Sequence, residues 1–372
     1  MKSVKSGLRP ARILLGLCAG LWLLACNFSF GDKNAEGSPA WHSWDSKLRE
    51  SPWLTAIGSD YIELAFKAAR EADPDAKLYY NDYSLDNQNK AAAVYEMVRD
   101  INRRFPNVGG RPLIDGIGMQ AHYGIWTDPG NVEKSIQLFS SLGVEVSISE
   151  LDIQAGTNGQ FESGWENQQA ELYAKLFRIF KQNASHISRV TFWGLNDGKS
   201  WRSTSKPLLF DKDYKSKPAF YAVENPDLSS FPAEGEVMSG LSPLHEKYDS
   251  SFLLGNIVSP GDIGKTDFSN LSRHFTAATA ENDMKPENIQ RTKGNFTYPD
   301  TMVKAVLDAG MKMHAHTLVW HQQTPSWMNT GNNMTRETAL ENMTTHITTV
   351  VAHFKGKVIS WDVVNEAIKD GL

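Results

Sequence analysis

Strand-like and helix-like segments alternate along most of this chain, and that alternation constrains the fold more than any single motif. The strand-like runs are Lys77 to Tyr83, Ile114 to His122, Val144 to Ile153, Val190 to Leu195, Phe252 to Val258, Thr276 to Thr279, Lys312 to Trp320 and Val358 to Val364. Stretches with helical spacing cover 57–71, 91–105, 132–142, 170–183, 301–309 and 336–354. In the second of these, Val94, Met97, Val98 and Ile101 share one face. Four strands precede and four follow a Pro-, Gly- and Ser-rich stretch from Glu224 to about Gly240. Eight strand–helix units in about 330 residues predict a (β/α)8 barrel, an α/β fold with a parallel sheet. Two open α/β domains are the alternative, but neither half carries a glycine-rich phosphate loop.

The N-terminus reads as an address. Lys2, Lys5, Arg9 and Arg12 precede an uncharged run from Ile13 to Ala25, too short to span a bilayer as a helix. Residues 1–25 are therefore expected to be a signal peptide. The run ends Leu23-Leu24-Ala25-Cys26, which resembles the bacterial lipobox, with Cys26 acylated as the first mature residue. Residues 26–43 mix Gly, Ser, Asn, Pro and charges without period, and read as a tether. The expected product is exported from a bacterium, as a cell-envelope lipoprotein or a secreted protein. Its only membrane contact would be that lipid anchor.

Composition removes several function classes. A net charge of −5 gives no basic surface for nucleic acid. Two cysteines leave no disulfide framework and no four-cysteine zinc site.

In a barrel of this kind, chemistry sits at the C-terminal ends of the strands. Those ends are loaded with polar groups: Tyr80-Asn81-Asp82-Tyr83, Gln120-Ala121-His122-Tyr123, Ser149-Glu150-Leu151-Asp152, Trp193 to Asp197, Glu281-Asn282-Asp283, His316 to His321, and Asn365-Glu366. Burying seven such ends would be costly unless they served one site. Glu150 and Glu366 each close a strongly apolar strand, so each is expected to enter a confined cleft. A carboxylate pair in unlike environments can divide glycoside hydrolysis between a nucleophile and a general acid. Trp320, Trp193, Trp201, Tyr83 and Tyr123 add flat faces suited to sugar rings, whereas Trp53, Trp327 and Trp361 lie among apolar neighbours and read as core. A rival reading takes His314-x-His316, with His122 and Asp197, as the ligands of a metal-dependent hydrolase. That chemistry needs lone histidines on two further strands, and only His122 is on offer.

At these residues the chain resembles the endo-β-1,4-xylanases of glycoside hydrolase family 10. The matching stretches are TAENDMKPE (279–287), HTLVWHQQTPSWM (316–328), VISWDVVNEA (358–367), AKLYYNDYSLDN (76–87), IDGIGMQAHY (114–123), VEVSISELDI (144–153) and TFWGLNDGKSWR (191–202). The resemblance implies Glu366 as acid/base and Glu150 as nucleophile, with Asn365 on the sugar 2-hydroxyl and His122 and Asp152 tuning Glu150. It implies Glu281, Asn282, Lys285, His316, Trp320 and Gln323 along the glycone side. Tyr83, Trp193, Trp201 and Arg202 complete the implied binding set. No metal or organic cofactor is implied. The implied partners are xylan and xylo-oligosaccharides. Ser84 stands where the family usually has Asn, which touches the aglycone side only.

The order of the motifs departs from the family. There the Asn-Glu-Ala stretch comes first, whereas here family strands five to eight precede strands one to four. The expectation is a circularly permuted barrel: 44–223 as the family's second half, 224–243 joining its old termini, and 244–372 as its first half. An export signal ahead of Trp44 favours permutation over a tandem fragment. A monomer is expected, with a domain-swapped dimer as the alternative. A surface protein that binds xylan without cleaving it remains the functional alternative, because the cut falls six residues past Glu366.

Overall fold

The computed structural model describes residues 42–372 apart from 158, 234, 332 and 333. The expected signal segment, Cys26 and the expected tether up to residue 41 lie outside the described residues. Among the described residues no helix is long and apolar enough to cross a membrane.

Among the described residues nine strands form one sheet: β1 Lys77–Asp82, β2 Gly116–Met119, β3 His122–Gly124, β4 Glu145–Gln154, β5 Ile187–Phe192, β6 Leu253–Val258, β7 Ala277–Ala280, β8 Lys312–Val319 and β9 Ser360–Asn365. All pairings are parallel, and β2 and β3 both pair with β4 as two pieces of one barrel position. β9 pairs with β1 and closes an eight-position ring. Helices such as Gln88–Arg104, Trp165–Gln182 and Arg336–Phe354 pack around it. Their apolar faces and the outward strand residues form the core, for example Val94, Phe177, Val146 and Ile347.

Several boundaries differ from the sequence expectation. The helix expected over 57–71 is two, Pro52–Ile57 and Tyr61–Ala72, separated at Gly58 with φ of 98°. The fourth strand begins at Ile187 and stops at Phe192, short of Leu195. The helix Thr266–His274 was not expected, because its inward positions Asp267, Asn270, Leu271 and His274 have helical spacing but are mostly polar. The stretch expected to join the two halves is held by hydrogen bonds. Ser216 N–H reaches Glu236 O, Met238 N–H reaches Tyr214 O, and the Arg273 guanidinium donates twice to Leu241 O.

The bore of the barrel is polar. β2 presents two glycines toward it, and a Cβ at Gly116 or Gly118 would collide with the Tyr79 ring or the Asn81 amide. Those side chains, with Arg189, Ser360, His314 and Asp362, fill the bore and are buried. Arg189 donates to Thr191 and Ser360. His314 bonds Ser360, and Asp362 sits beside both His314 and His316.

Three register shifts re-aim the strand ends. β4 gains a residue against β5 between Ile148 and Leu151, β8 gains one against β9 between His316 and Val319, and β9 gains one against β1 after Asp362. Such bulges are frequent beside active sites, because they turn a side chain from one face to the other.

Candidate active site

Strict alternation along β4 would put Glu150 on the same face as Val146 and Ile148, toward the helices. The bulge cancels that parity. Ser149 and Glu150 both enter the bore, where the Ser149 hydroxyl donates to Asn81 Oδ1 at 2.6 Å and the Asn81 amide donates to Glu150 Oε1 at 2.8 Å. The same amide donates to Asn365 Oδ1 at 2.9 Å, so one buried asparagine ties the ends of β4 and β9 together.

Glu366 follows β9 with φ of 58°, in the left-handed region. Its carboxylate accepts from Trp320 Nε1 at 2.9 Å, Gln120 Nε2 at 2.9 Å and Asn365 Nδ2 at 3.2 Å. All three donors are neutral. The His321 ring nitrogen Nδ1 lies 4.0 Å away and has no hydrogen-bond partner of its own.

Glu150 is placed differently. His122 Nε2 lies 3.1 Å from its Oε2, and His122 Nδ1 lies 3.0 Å from Asp152 Oδ2, off the line of a straight hydrogen bond. Burial opposes a charge on His122, but the Asp152 and Glu150 carboxylates outweigh it and push the imidazole up to about 9. Burial alone would raise the Glu150 carboxyl. The His122 hydrogen bond, the charges of His316 and His122, and the Asn81 amide more than offset that and hold it below the usual carboxylate range. Asp152 is fully buried and also receives Trp201 Nε1 at 3.0 Å and Arg202 Nη1 at 3.2 Å.

Around the two carboxyls opens a cleft of about 490 Å³. Glu150, Glu366, Asn365 and His122 line it, as do Glu281, Asn282, Lys285, His316, Trp320, Tyr83, Trp193, Trp201 and Arg202. Gln323 stands behind Lys285, whose ammonium donates to Gln323 Oε1 at 2.9 Å and to Asn282 Oδ1 at 3.0 Å. Lys285 is lowered by burial despite the neighbouring carboxylates, and Glu281 is raised by burial. Trp193 is buried against the edges of His122 and His316, while Trp201 stands 58% exposed on the rim. Trp53 and Trp361 are core, and Trp327 caps the Gln290 and Arg291 carbonyls.

Asp197 does not join the site. It turns away to pair with Lys217 at 2.9 Å and to accept the Leu208 amide, because β5 ends five residues earlier and Asn196 caps a short turn there. The metal rival loses geometry with it. His314 lies in the bore bonded to Ser360 and Asp362, and among the described residues no three His, Cys, Asp or Glu side chains converge as ligands.

Several cleft or support residues were not singled out from sequence, Gln322 on the cleft wall among them. Gln120 and Asn81 stood within the polar strand ends and hold the two carboxyls directly. His321 adjoins Trp320, and Arg49 enters from a segment with no strand signal at all. His321 too stood within a polar strand end, His316 to His321.

Comparison with known proteins identifies the family. The sequence model of the family described as Glycosyl hydrolase family 10 matches residues 39–226 and 243–372. Endo-1,4-beta-xylanase A of Thermotoga neapolitana is 42% identical over 221 residues, 57% of this chain and 20% of that protein. Endo-1,4-beta-xylanase A of Thermoanaerobacterium saccharolyticum is 39% identical over 234 residues, 60% of this chain and 19% of that protein. The matches thus span about a fifth of the length of these relatives. Among solved structures, a GH10 xylanase from termite gut that contains a bacterial Ig-like domain is 40% identical, with a TM-score of 0.45 over 48% of this chain and 44% of that one. Because the two segments of the family match take in most of the sequence, the chain belongs to glycosyl hydrolase family 10.

Proposed function

We propose that this chain is a retaining endo-β-1,4-xylanase with Glu150 as nucleophile and Glu366 as acid/base. The observation that carries the assignment is the unlike surroundings of the two carboxyls. A nucleophile must stay ionised, and Glu150 has the His122 cation and the Asn81 amide to keep it so. Glu366 has only neutral N–H donors on its carboxylate, which suits the acid/base role. In the first step Glu366 protonates the glycosidic oxygen, Glu150 bonds to the anomeric carbon, and the carbon–oxygen bond breaks. In the second, Glu366 takes a proton from water, whose oxygen displaces Glu150 with the β-configuration restored. Asn365 is read as the partner of the sugar 2-hydroxyl. Glu281, Asn282, Lys285, His316, Trp320 and Gln323 are read as the glycone side, with Tyr83 and Trp201 on the opposite rim.

Reducing-sugar release from xylan tests the reading. It should vanish in Glu150→Ala and in Glu366→Ala, and full activity in either variant would overturn the roles. The anomer first released, followed by proton NMR, should be β.

We further infer that the barrel is circularly permuted, with 44–223 and 244–372 in exchanged order about a join at 224–243. Support comes from the two separate segments of the family match and from relatives that each align to less than two thirds of the chain. A rearranged gene placing 244–372 before 44–223 should yield an equally active barrel; an inactive, unfolded product would count against it. Residues 1–25 are proposed as the export signal and Cys26 as the acylated residue, which mass spectrometry of the mature N-terminus would decide. The protein is proposed to act as a monomer, which light scattering would check.

A further inference from the structure

We propose that Arg49 is a positioning residue for Glu366, acting on the peptide that carries the proton donor and not on its carboxylate. The inference rests on the reading of Glu366 as acid/base.

Glu366 needs such a device. Its φ of 58° lies where a side chain is strained, and strained residues persist only where their surroundings over-determine them. The surroundings do so peptide by peptide. The Glu366 N–H donates to Asn81 O at 2.9 Å, and the Ala367 and Ile368 N–H groups both donate to the Tyr80 hydroxyl at 3.0 and 3.1 Å. The Glu366 carbonyl accepts Arg49 Nε at 3.1 Å. That is the one side-chain donor on this carbonyl among the described residues.

Arg49 is itself fixed on both sides. Its own N–H donates to Ala367 O at 2.8 Å, within a short antiparallel contact that pairs Leu48 with Ile368 and brings Lys369 N–H to Lys47 O. The other arm of the guanidinium donates to the Tyr83 hydroxyl at 2.6 Å and pairs with Asp370 at 3.2 Å. Asp370 also bonds the Tyr83 hydroxyl and pairs with Lys90 at 3.1 Å. The planar fork thus serves the Glu366 peptide with one nitrogen and a rigid anchor with another, which a single ammonium cannot do. If that carbonyl is released, the Glu366 peptide can rotate and swing the carboxyl off the leaving oxygen, where a shift of about 1 Å is costly.

The diagnostic is the proton itself. A xylo-oligosaccharide leaving group needs protonation, whereas a dinitrophenolate departs without it. In Arg49→Lys and Arg49→Ala, kcat/KM on xylotetraose should fall by about tenfold or more. On 2,4-dinitrophenyl β-xylobioside it should change by less than about threefold. Asp370→Asn, which leaves Arg49 on the carbonyl but loosens its anchor, should show the same split to a smaller degree. It keeps the test open if the Arg49 variants fold poorly. Equal loss on both substrates, or no loss on either, would overturn the proposal. Glu366→Ala serves as the reference. If it shows no split, the acid/base reading fails before Arg49 is in question.

Discussion

Gly118→Ala tests the architecture of the site without touching a carboxyl. Gly118 has an ordinary backbone conformation, so alanine brings no φ strain. The obstacle is space. The added Cβ would fall inside 3.0 Å of Asn81 Oδ1, a separation real Cβ atoms essentially never show, and 3.3 Å from Ser149 Oγ. A flexible side chain would yield, but Asn81 is fully buried and bonded to Ser149, Glu150 and Asn365. Relief requires it to withdraw by about 1 Å, which breaks the 2.8 Å bond to Glu150. Overpacking of this kind costs about 1–3 kcal/mol, and the lost bond to an ionised group adds about 1.5–3 kcal/mol. At about 2 °C per kcal/mol the melting temperature should drop by roughly 5–12 °C. Displacing Glu150, the proposed nucleophile, should lower kcat on xylan about a hundredfold. Gly261→Ala is the matched control, since nothing lies within 4 Å of its added Cβ. Calorimetry and reducing-sugar release read both effects. A Gly118→Ala protein that melts like the wild type and keeps its kcat within about threefold would refute the idea that Asn81 is locked.

The remaining predictions concern charge and rim. His122 is raised to about 9 from 6.5, so its stabilisation is complete below pH 6.5 and lost as pH climbs through 9; wild-type melting should decline over that window, and His122→Asn should flatten the decline. His346, buried and bonded at Nδ1 to Gln290 at 2.8 Å, is pushed down to about 4 by burial. Its folded state resists a proton, so stability should be whole above pH 6.5 and fall toward pH 4, with His346→Gln weakening that acid loss in melts across the range. Trp201→Ala removes an exposed indole whose Nε1 holds Asp152, and should raise KM for xylo-oligosaccharides about tenfold while kcat falls less.

The barrel was legible because its period was. Each of the eight β-prone runs became a barrel position, since β-branched clusters between helical stretches leave few other solutions. The broken second strand was not legible, because Ala121, with φ of 62°, turns the chain between β2 and β3 and nothing in Gln120-Ala121-His122 announces it. Asp197 misled for a related reason. A strand end and the turn after it are both polar, and where one stops cannot be read from TFWGLND. Arg49 was out of reach, because its value lies in contacts with residues 366–370, more than 300 positions away.

The direction of the two glutamates is the deeper case. Both were picked out as strand ends, yet plain alternation would aim Glu150 at the helices with Ile148. Only the extra residue in β4 turns it inward, and a matching shift in β9 lets Asp362 and Asn365 share the bore although an odd number of positions separates them. These bulges let strands keep apolar residues toward the helices and still deliver carboxyls to the cleft. They are accompanied by strained backbone at Ser84, Ala121, Gln323 and Glu366, all past the strand ends on the cleft side. At about 1–3 kcal/mol each, four such residues would cost a sizeable part of a domain's stability. At Glu366 that geometry is held by the Asn81 carbonyl, the Tyr80 hydroxyl and the Arg49 guanidinium on its peptides and by the Gln120 amide on its carboxylate, so the strained strand end is fixed by neighbours from other segments of the barrel.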